Sequence, residues 1–161
     1  MDPHILATTD GTTFTVAGTL AQPVRYPAVA AADGAVWIVG GQLATSESTK
    51  VGGQSDAIQR FDPASHKTSV VGHLPETLGH ATAVSLRGQL FVVGGQAGVA
   101  PSARIWSIDT KTGAVSDAGV MPGPRSDAGA AVIDDTAWLV GGETTDPGHP
   151  LDTVVALKIL P

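Results

Sequence analysis

The strongest pattern in this chain is an apolar run that closes on a glycine pair. It occurs three times, as Val36-Trp37-Ile38-Val39-Gly40-Gly41, Leu90-Phe91-Val92-Val93-Gly94-Gly95 and Ala137-Trp138-Leu139-Val140-Gly141-Gly142. The pairs lie 54 and 47 residues apart. An Ala/Val-rich stretch precedes each run, at 28–32, 81–86 and 128–133. Between stretch and run stand two turn-forming residues, Asp33-Gly34, Arg87-Gly88 or Asp134-Asp135. Two apolar runs joined by two such residues predict a β-hairpin, with Asp-Gly the strongest signal of the three.

The second half of the unit repeats as well. Ala57-Ile58-Gln59-Arg60-Phe61-Asp62-Pro63 is matched by Arg104-Ile105-Trp106-Ser107-Ile108-Asp109-Thr110. Each continues through a polar turn into a short strand and ends in Leu74-Pro75 or Met121-Pro122. The spacing of Ile58 and Phe61, or Ile105 and Ile108, suits strands covered on one or both faces. Each unit therefore predicts four short strands, a to d, in an up-and-down meander. Partial units stand at the ends. Ile5 to Pro23 reads as a c–d half, and Leu151 to Ile159 as a strand c with Pro161 after it. The order c-d, a-b-c-d, a-b-c-d, a-b-c gives 13 predicted strands. The 20 Gly and 11 Pro agree with frequent turns and disfavour long helices.

A four-stranded unit of this length, whose second strand ends in Gly-Gly, resembles the kelch repeat of β-propellers. Met121-Pro122-Gly123-Pro124-Arg125 leading to Ala137–Gly142 carries that pattern most fully. The resemblance covers nearly the whole chain and is of a divergent, bacterial type. Strand c has Phe61 and Trp106 near where kelch units usually carry Tyr. Strand d has Val70, Val71 and Val115 where a Trp is usual, and Trp37 and Trp138 stand in strand b. The resemblance implies an all-β fold of kelch-like propeller blades, each a four-stranded antiparallel meander. It implies about three of them, half or a fragment of a six- to seven-bladed propeller. The chain 1–161 is then a single propeller segment. It divides into a partial blade at 1–23 (strands c-d), blades at 24–75 and 76–122, and a partial blade at 123–161 (strands a-b-c). The glycine pairs have a physical reading of their own: lacking Cβ, they permit positive φ and close backbone approach where a strand leaves its sheet. A phosphate-binding loop at Gly94-Gly95-Gln96-Ala97-Gly98 is disfavoured, since no helix-forming stretch and no Gly-Lys-Ser/Thr follows.

Composition narrows the function classes. Lys plus Arg is 9 against 15 Asp plus Glu, a formal charge of −6 without like-charge runs, which argues against nucleic acid as a partner. The absence of cysteine excludes disulfides, thiolate zinc sites and a cysteine nucleophile. A hydrophobic content of 42% with 15% charged residues excludes a disordered tail. No apolar run approaches the roughly 18 to 20 residues that span a bilayer. Met1-Asp2-Pro3-His4 lacks the residue order of a secretory signal. The compartment stays open.

Three blades leave sheet edges unpaired, whereas propellers typically close with four to eight. Two solutions are open. In one, two copies form a six-bladed ring, strand d of one N-terminus completing a-b-c of the other copy. In the other, the remaining blades belong to a longer chain. The strand c at Ile5 to Thr8 is redundant in the first and natural in the second. A closed three-bladed monomer would need extreme curvature.

Meander topology brings the d–a and b–c loops to one face. That face holds 22–25, 74–80 and 121–127 and the loops that follow the glycine pairs, at 42–56, 96–102 and 143–151. The three b–c loops differ in length, and loops on a rigid scaffold are where binding concentrates; the kelch resemblance implies the same face. Arg25, His80 and Arg125 stand at comparable points before strand a. They predict a ring of donors around the channel for a carboxylate or acidic peptide; otherwise the arginines satisfy loop carbonyls within their own blades. Gln42, Gln96 and Glu143 directly follow the glycine pairs, as recurring ligand groups or as solvated loop termini. His4, His66, His73, His80 and His149 show no metal-ligand spacing, so no metal and no cofactor is predicted. Asp134-Asp135 reads as a hairpin turn rather than a cation site. No Gly-x-Ser-x-Gly elbow is present. Leu74-Pro75-Glu76-Thr77-Leu78 has Leu where a sortase signal needs Gly and reads as a turn between blades.

The function expected is a binding scaffold that presents its loop face to a protein or to a small polar or acidic ligand. A metal-free sugar-active enzyme, similar to the sialic-acid mutarotases among kelch-like propellers, is one alternative. A purely structural segment of a larger propeller is another. A copper sugar oxidase is excluded, because Tyr26 is the sole tyrosine and cysteine is absent.

Overall fold

In the computed structural model of the chain, which describes residues 2–44, 51–144 and 150–159, the three hairpins close through left-handed turns. The φ angles are 48° and 69° at Asp33 and Gly34, 48° and 78° at Arg87 and Gly88, and 51° at Asp134. Such turns share the right-handed twist of the strands they join. His149, Pro161 and parts of the loops at 42–56 and 143–151 lie outside the described residues.

Every described element is an antiparallel strand. The first two, β1 (His4–Ala7) and β2 (Thr15–Thr19), pair with each other. A short β3 (Val24–Arg25) leads to β4 (Ala28–Ala32) and β5 (Ala35–Val39). Next come β6 (Gln42–Ala44) and β7 (Val51–Gln54) in the b–c loop, then β8 (Ala57–Asp62) and β9 (Lys67–His73). The second unit runs β10 (Thr82–Leu86), β11 (Gln89–Val93), the loop strands β12 (Gln96–Ala97) and β13 (Ala100–Pro101), β14 (Arg104–Ile108) and β15 (Val115–Val120). The third holds β16 (Gly129–Ile133), β17 (Thr136–Val140) and β18 (Val154–Lys158). The main sheets are β4-β5-β8-β9, β10-β11-β14-β15 and β16-β17-β18, here blades 1, 2 and 3. The loop strands form two small sheets, β3-β6-β7 and β12-β13, which the sequence pattern does not announce.

Alternation along strand b explains how the blades stack. In β5, Trp37 and Val39 join a core with Leu90, Val92 and Ile108 of blade 2. In β11, Phe91 and Val93 join Ala137 and Leu139 of blade 3. The opposite face of β5 places Ile38, with Phe61, against Ile5 and Ala17 of the β1–β2 hairpin. β5 and β11 thus each divide two cores, and both of their faces are apolar because both are covered.

The glycine pairs tie one blade to the next. The first glycine donates its N–H to its own blade, from Gly40 to Ala57 O and from Gly94 to Arg104 O, each at 2.9 Å. The second donates to the following blade, from Gly41 to Leu78 O at 2.7 Å and from Gly95 to Arg125 O at 2.8 Å. The backbones approach so closely that a Cβ on Gly40 or Gly94 would collide with those carbonyl oxygens. Positive φ, 64° at both residues, is the second reason for glycine here.

Side-chain amides fasten the loops. The buried Gln59 bonds both ways to the backbone of Gln22, accepting its N–H and donating to its carbonyl, both at 2.9 Å. Gln54 does the same to Gly98 of blade 2, at 2.7 and 3.0 Å. A buried amide with all these partners in place holds its loop rigid, and an unpaired one would be costly.

Carboxylates shape the c–d turns. Asp10 accepts the N–H groups of Thr12 and Thr13 at 2.8 and 2.7 Å, and Asp109 those of Lys111 and Thr112 at 2.8 and 3.0 Å. These bonds hold both carboxyls below the usual range, and the N–H of Ala64 does so for Asp62. A carboxyl depressed in the folded state stabilises it above the unfolded pKa of about 4 and loses that contribution as pH falls through the folded value. Urea midpoints are therefore expected to fall progressively below about pH 4, and a midpoint constant from pH 6 to pH 2 would contradict this.

Candidate functional site

The inner strands β4, β10 and β16 line a groove of about 300 Å³ with small side chains, among them Ala30, Ala83 and Ala130. At its mouth, each inner strand is preceded by one residue with left-handed backbone: Tyr26 (φ 52°), His80 (57°) and Asp127 (54°). The N–H of His80 donates to Tyr26 O, and the N–H of Asp127 donates to His80 O, both at 2.9 Å. These bonds make a backbone ladder that steps from blade to blade around the groove.

The side chains continue the row. The Tyr26 ring stacks on the His80 imidazole with centroids 4.5 Å apart and planes inclined by 22°. His80 Nδ1 lies 2.7 Å from Asp127 Oδ1, with the imidazole mostly covered and the carboxylate more open. Arg25 Nε–H donates to Gln42 Oε1 at 3.1 Å, and Gln42 Nε2 stands 2.9 Å from His80 Nε2. The Arg25 guanidinium also lies 5.5 Å from the centre of the Tyr26 ring, within cation–π range.

Donors and acceptors fix the direction of this chain. A carboxylate only accepts, which puts the imidazole proton on Nδ1, facing Asp127. The Gln42 oxygen is turned to Arg25, so its NH₂ faces His80 and Nε2 acts as acceptor. The bonds run one way, Arg25 to Gln42 to His80 to Asp127, from cation to carboxylate. Groups polarised in series in this manner reinforce one another. Among the described residues, no three His, Asp or Glu side chains converge as a metal site would require.

Comparison with known proteins agrees with this architecture. A family model for the Kelch motif matches residues 78–120, a span that covers blade 2 from Leu78 to the end of β15. The fold is of kelch type. The solved structure of YjhT is similar to this chain with a TM-score of 0.79 at 18% identity, over 94% of this chain and 54% of that one. This chain therefore spans about half the length of that structure. No curated protein matches it.

Within the blades, Arg25, Gln42 and His80 come together, and Arg125 does not. The pairing register aligns Arg25 with Gly79 and Ser126, since these lie opposite Gln42, Gln96 and Glu143. His80 falls one position later in its blade than Arg25, and Arg125 one position earlier. Arg125 is only 5% exposed and donates to the carbonyls of Gly141 and Thr153 and, at 2.7 Å, to Thr153 Oγ1. It serves the loop of its own blade, and of the expected three-membered donor ring Arg25 alone keeps free donors, since His80 turns its N–H to Asp127 and its Nε2 to Gln42. The physical reason lies in the lead-ins: proline stands two residues before Arg25, five before His80 and one before Arg125, so charge is a poor guide to register. Gln96 donates weakly to Ser126 Oγ at 3.4 Å, and Glu143 is exposed with its backbone paired to Ser126. Tyr26 and Asp127 went unread in the sequence. Counting back from the glycine pair finds them: Tyr26, His80 and Asp127 each lie 14 residues before the first glycine.

Proposed function

We propose that this kelch-type segment is a binding scaffold whose loop face takes a carboxylate-bearing ligand, either a small acid or an acidic protein segment. The observation that carries this reading is the one-way chain from Arg25 to Asp127. Arg25 spends one of its five N–H donors on Gln42, which leaves the two Nη groups of an exposed guanidinium for a bidentate bond to carboxylate. The Tyr26 hydroxyl is a second donor on a half-exposed ring. Because Gln42, His80 and the Gln54 and Gln59 amide clamps already hold the loops, little ordering entropy is lost on association.

Titration of the ¹⁵N-labelled chain with glutarate and with a hexaglutamate peptide tests this reading. Shifts are expected at Arg25, Tyr26 and Gln42, and Arg25→Ala is expected to weaken binding about 10-fold, the worth of a charged hydrogen bond. Arg104→Ala, at an exposed ion pair on strand c, is the control that leaves binding unchanged. Saturable shifts confined to other faces, or none with either probe, would refute the assignment.

The His80–Asp127 pair favours a second reading, a metal-free sugar-active propeller, because a carboxylate-oriented imidazole is a common acid–base device. The Nε2 atom is turned to Gln42, so this chemistry requires Gln42 to swing away. The scaffold reading predicts no acceleration of anomeric exchange of acidic sugars by NMR, and a saturable acceleration lost in His80→Gln would support the enzyme instead.

A further inference from the structure

Histidine is the side chain that ordinarily changes charge between pH 5 and 8, and His80 stands in the middle of the row at the groove mouth. Each of its ring nitrogens has a partner with a fixed role. Nδ1–H donates to Asp127 Oδ1 at 2.7 Å, and Nε2 accepts from the Gln42 NH₂ at 2.9 Å. The groups that face the ring are few. Tyr26, before β4, stacks on it, and Arg25 of β3 reaches it through Gln42 of β6. Gln54 of β7 and Gln96 of β12 flank Gly79 and are neutral. Glu143 stands across from Ser126 and is exposed. Among the described residues, Asp127 is the one charged group bonded to the imidazole.

A proton added at Nε2 turns that atom from acceptor to donor. It then confronts the Gln42 NH₂, a second donor, and Nδ1 offers no relief because its own proton is held by Asp127. The Gln42 amide has to turn over, giving its oxygen to Nε2–H and its NH₂ to the side of Arg25. Arg25 Nε–H thereby loses the acceptor it holds at 3.1 Å. A free Nε–H beside an Nη–H is a fork that matches the two oxygens of a carboxylate. Charge changes in the same sense. With a neutral ring the charges of Arg25 and Asp127 cancel, and a protonated ring leaves one positive charge in excess.

We propose that protonation of His80 switches the carboxylate site to a tighter-binding form, through a turn of the Gln42 amide that frees Arg25. The inference rests on the reading of the loop face as a carboxylate site and adds its regulation. Gln42 is the positioning residue, since one amide both senses the charge of the ring and orients the guanidinium. Two changes act together on an arriving anion: the guanidinium gains a free donor, and the cluster gains a charge. Linkage makes the effect reciprocal, so a bound carboxylate favours proton uptake at His80 by the same factor. The site therefore takes an acid and a proton together.

A titration of the ¹⁵N,¹³C-labelled chain from about pH 8 to about pH 5 tests the relay without a ligand. The His80 ring nitrogens, the Gln42 side-chain NH₂ and the Arg25 Nε–H are expected to move with one common midpoint. A ring that titrates while Gln42 and Arg25 stay still, or a ring that does not titrate in this range, would overturn the proposal. Binding is read by ¹⁹F NMR with trifluoroacetate, a carboxylate that stays ionised throughout. It is expected to bind about 5-fold more tightly at the acid end than at the alkaline end. His80→Gln is expected to abolish that difference, and equal affinity at both ends in the unaltered chain would also overturn the proposal. No binding at either end, with the three signals still moving together, would overturn the carboxylate reading alone and leave the relay standing, because the relay needs no ligand.

Discussion

Gly94→Ala is expected to destabilise the chain by about 2 to 4 kcal/mol, a large share of the 5 to 15 kcal/mol typical of a domain. Two costs combine. The left-handed backbone, φ 64°, costs an alanine about 1 kcal/mol. The added Cβ also meets the Arg125 carbonyl oxygen, a backbone atom that cannot turn aside. Blade 3 must then shift away, which stretches the 2.8 Å bond from Gly95 N–H to the same carbonyl and loosens the core of Phe91, Val93 and Leu139. Gly88→Ala separates the two costs, because Gly88 has φ 78° and open space around its Cβ direction. It is expected to lose only about 1 kcal/mol in urea unfolding. Equal losses for the two variants would mean that the blades do not approach one another as described.

Trp37→Ala is expected to cost about 3 to 5 kcal/mol, the usual range for deleting a buried aromatic. The indole fills the space between blades 1 and 2 and donates its N–H to Ala32 O at 3.1 Å. Close-packed sheets cannot collapse to fill a hole of that size, so the transfer and cavity costs add. Phe14→Ala, at a ring 57% exposed, provides the comparison and is expected to change stability by less than about 1 kcal/mol. Thermal and urea unfolding of both variants would read this contrast directly.

These two residues also show why the fold could be read from the sequence. A glycine pair after an apolar run leaves a mark in one dimension, because both the run and the pair are needed at fixed distance from a two-residue turn. The stacking of blades is visible in the same way, since β5 and β11 are apolar on both faces. The row at the groove mouth is harder to read. Tyr26, His80 and Asp127 share a backbone conformation and a place in the ladder but no chemistry, whereas like charge singles out Arg25 and Arg125. The arginines are out of register by one residue, which on a β-segment sends a side chain to the other face. Arg25 points to the groove mouth and Arg125 into its own blade. Gln59 was invisible for a related reason: in blade 2 the matching position of strand c is Trp106, so an amide that ties down a loop occupies a place that reads as core.

The radial order of the blades stands or falls with the ladder at the groove mouth. Through-hydrogen-bond scalar couplings in the ¹⁵N,¹³C-labelled protein measure it. Couplings from the His80 amide nitrogen to the Tyr26 carbonyl carbon, and from the Asp127 amide nitrogen to the His80 carbonyl carbon, are expected, with slow amide exchange at both residues. Fast exchange at His80 and Asp127 with neither coupling present would contradict the arrangement of the three sheets around a common groove.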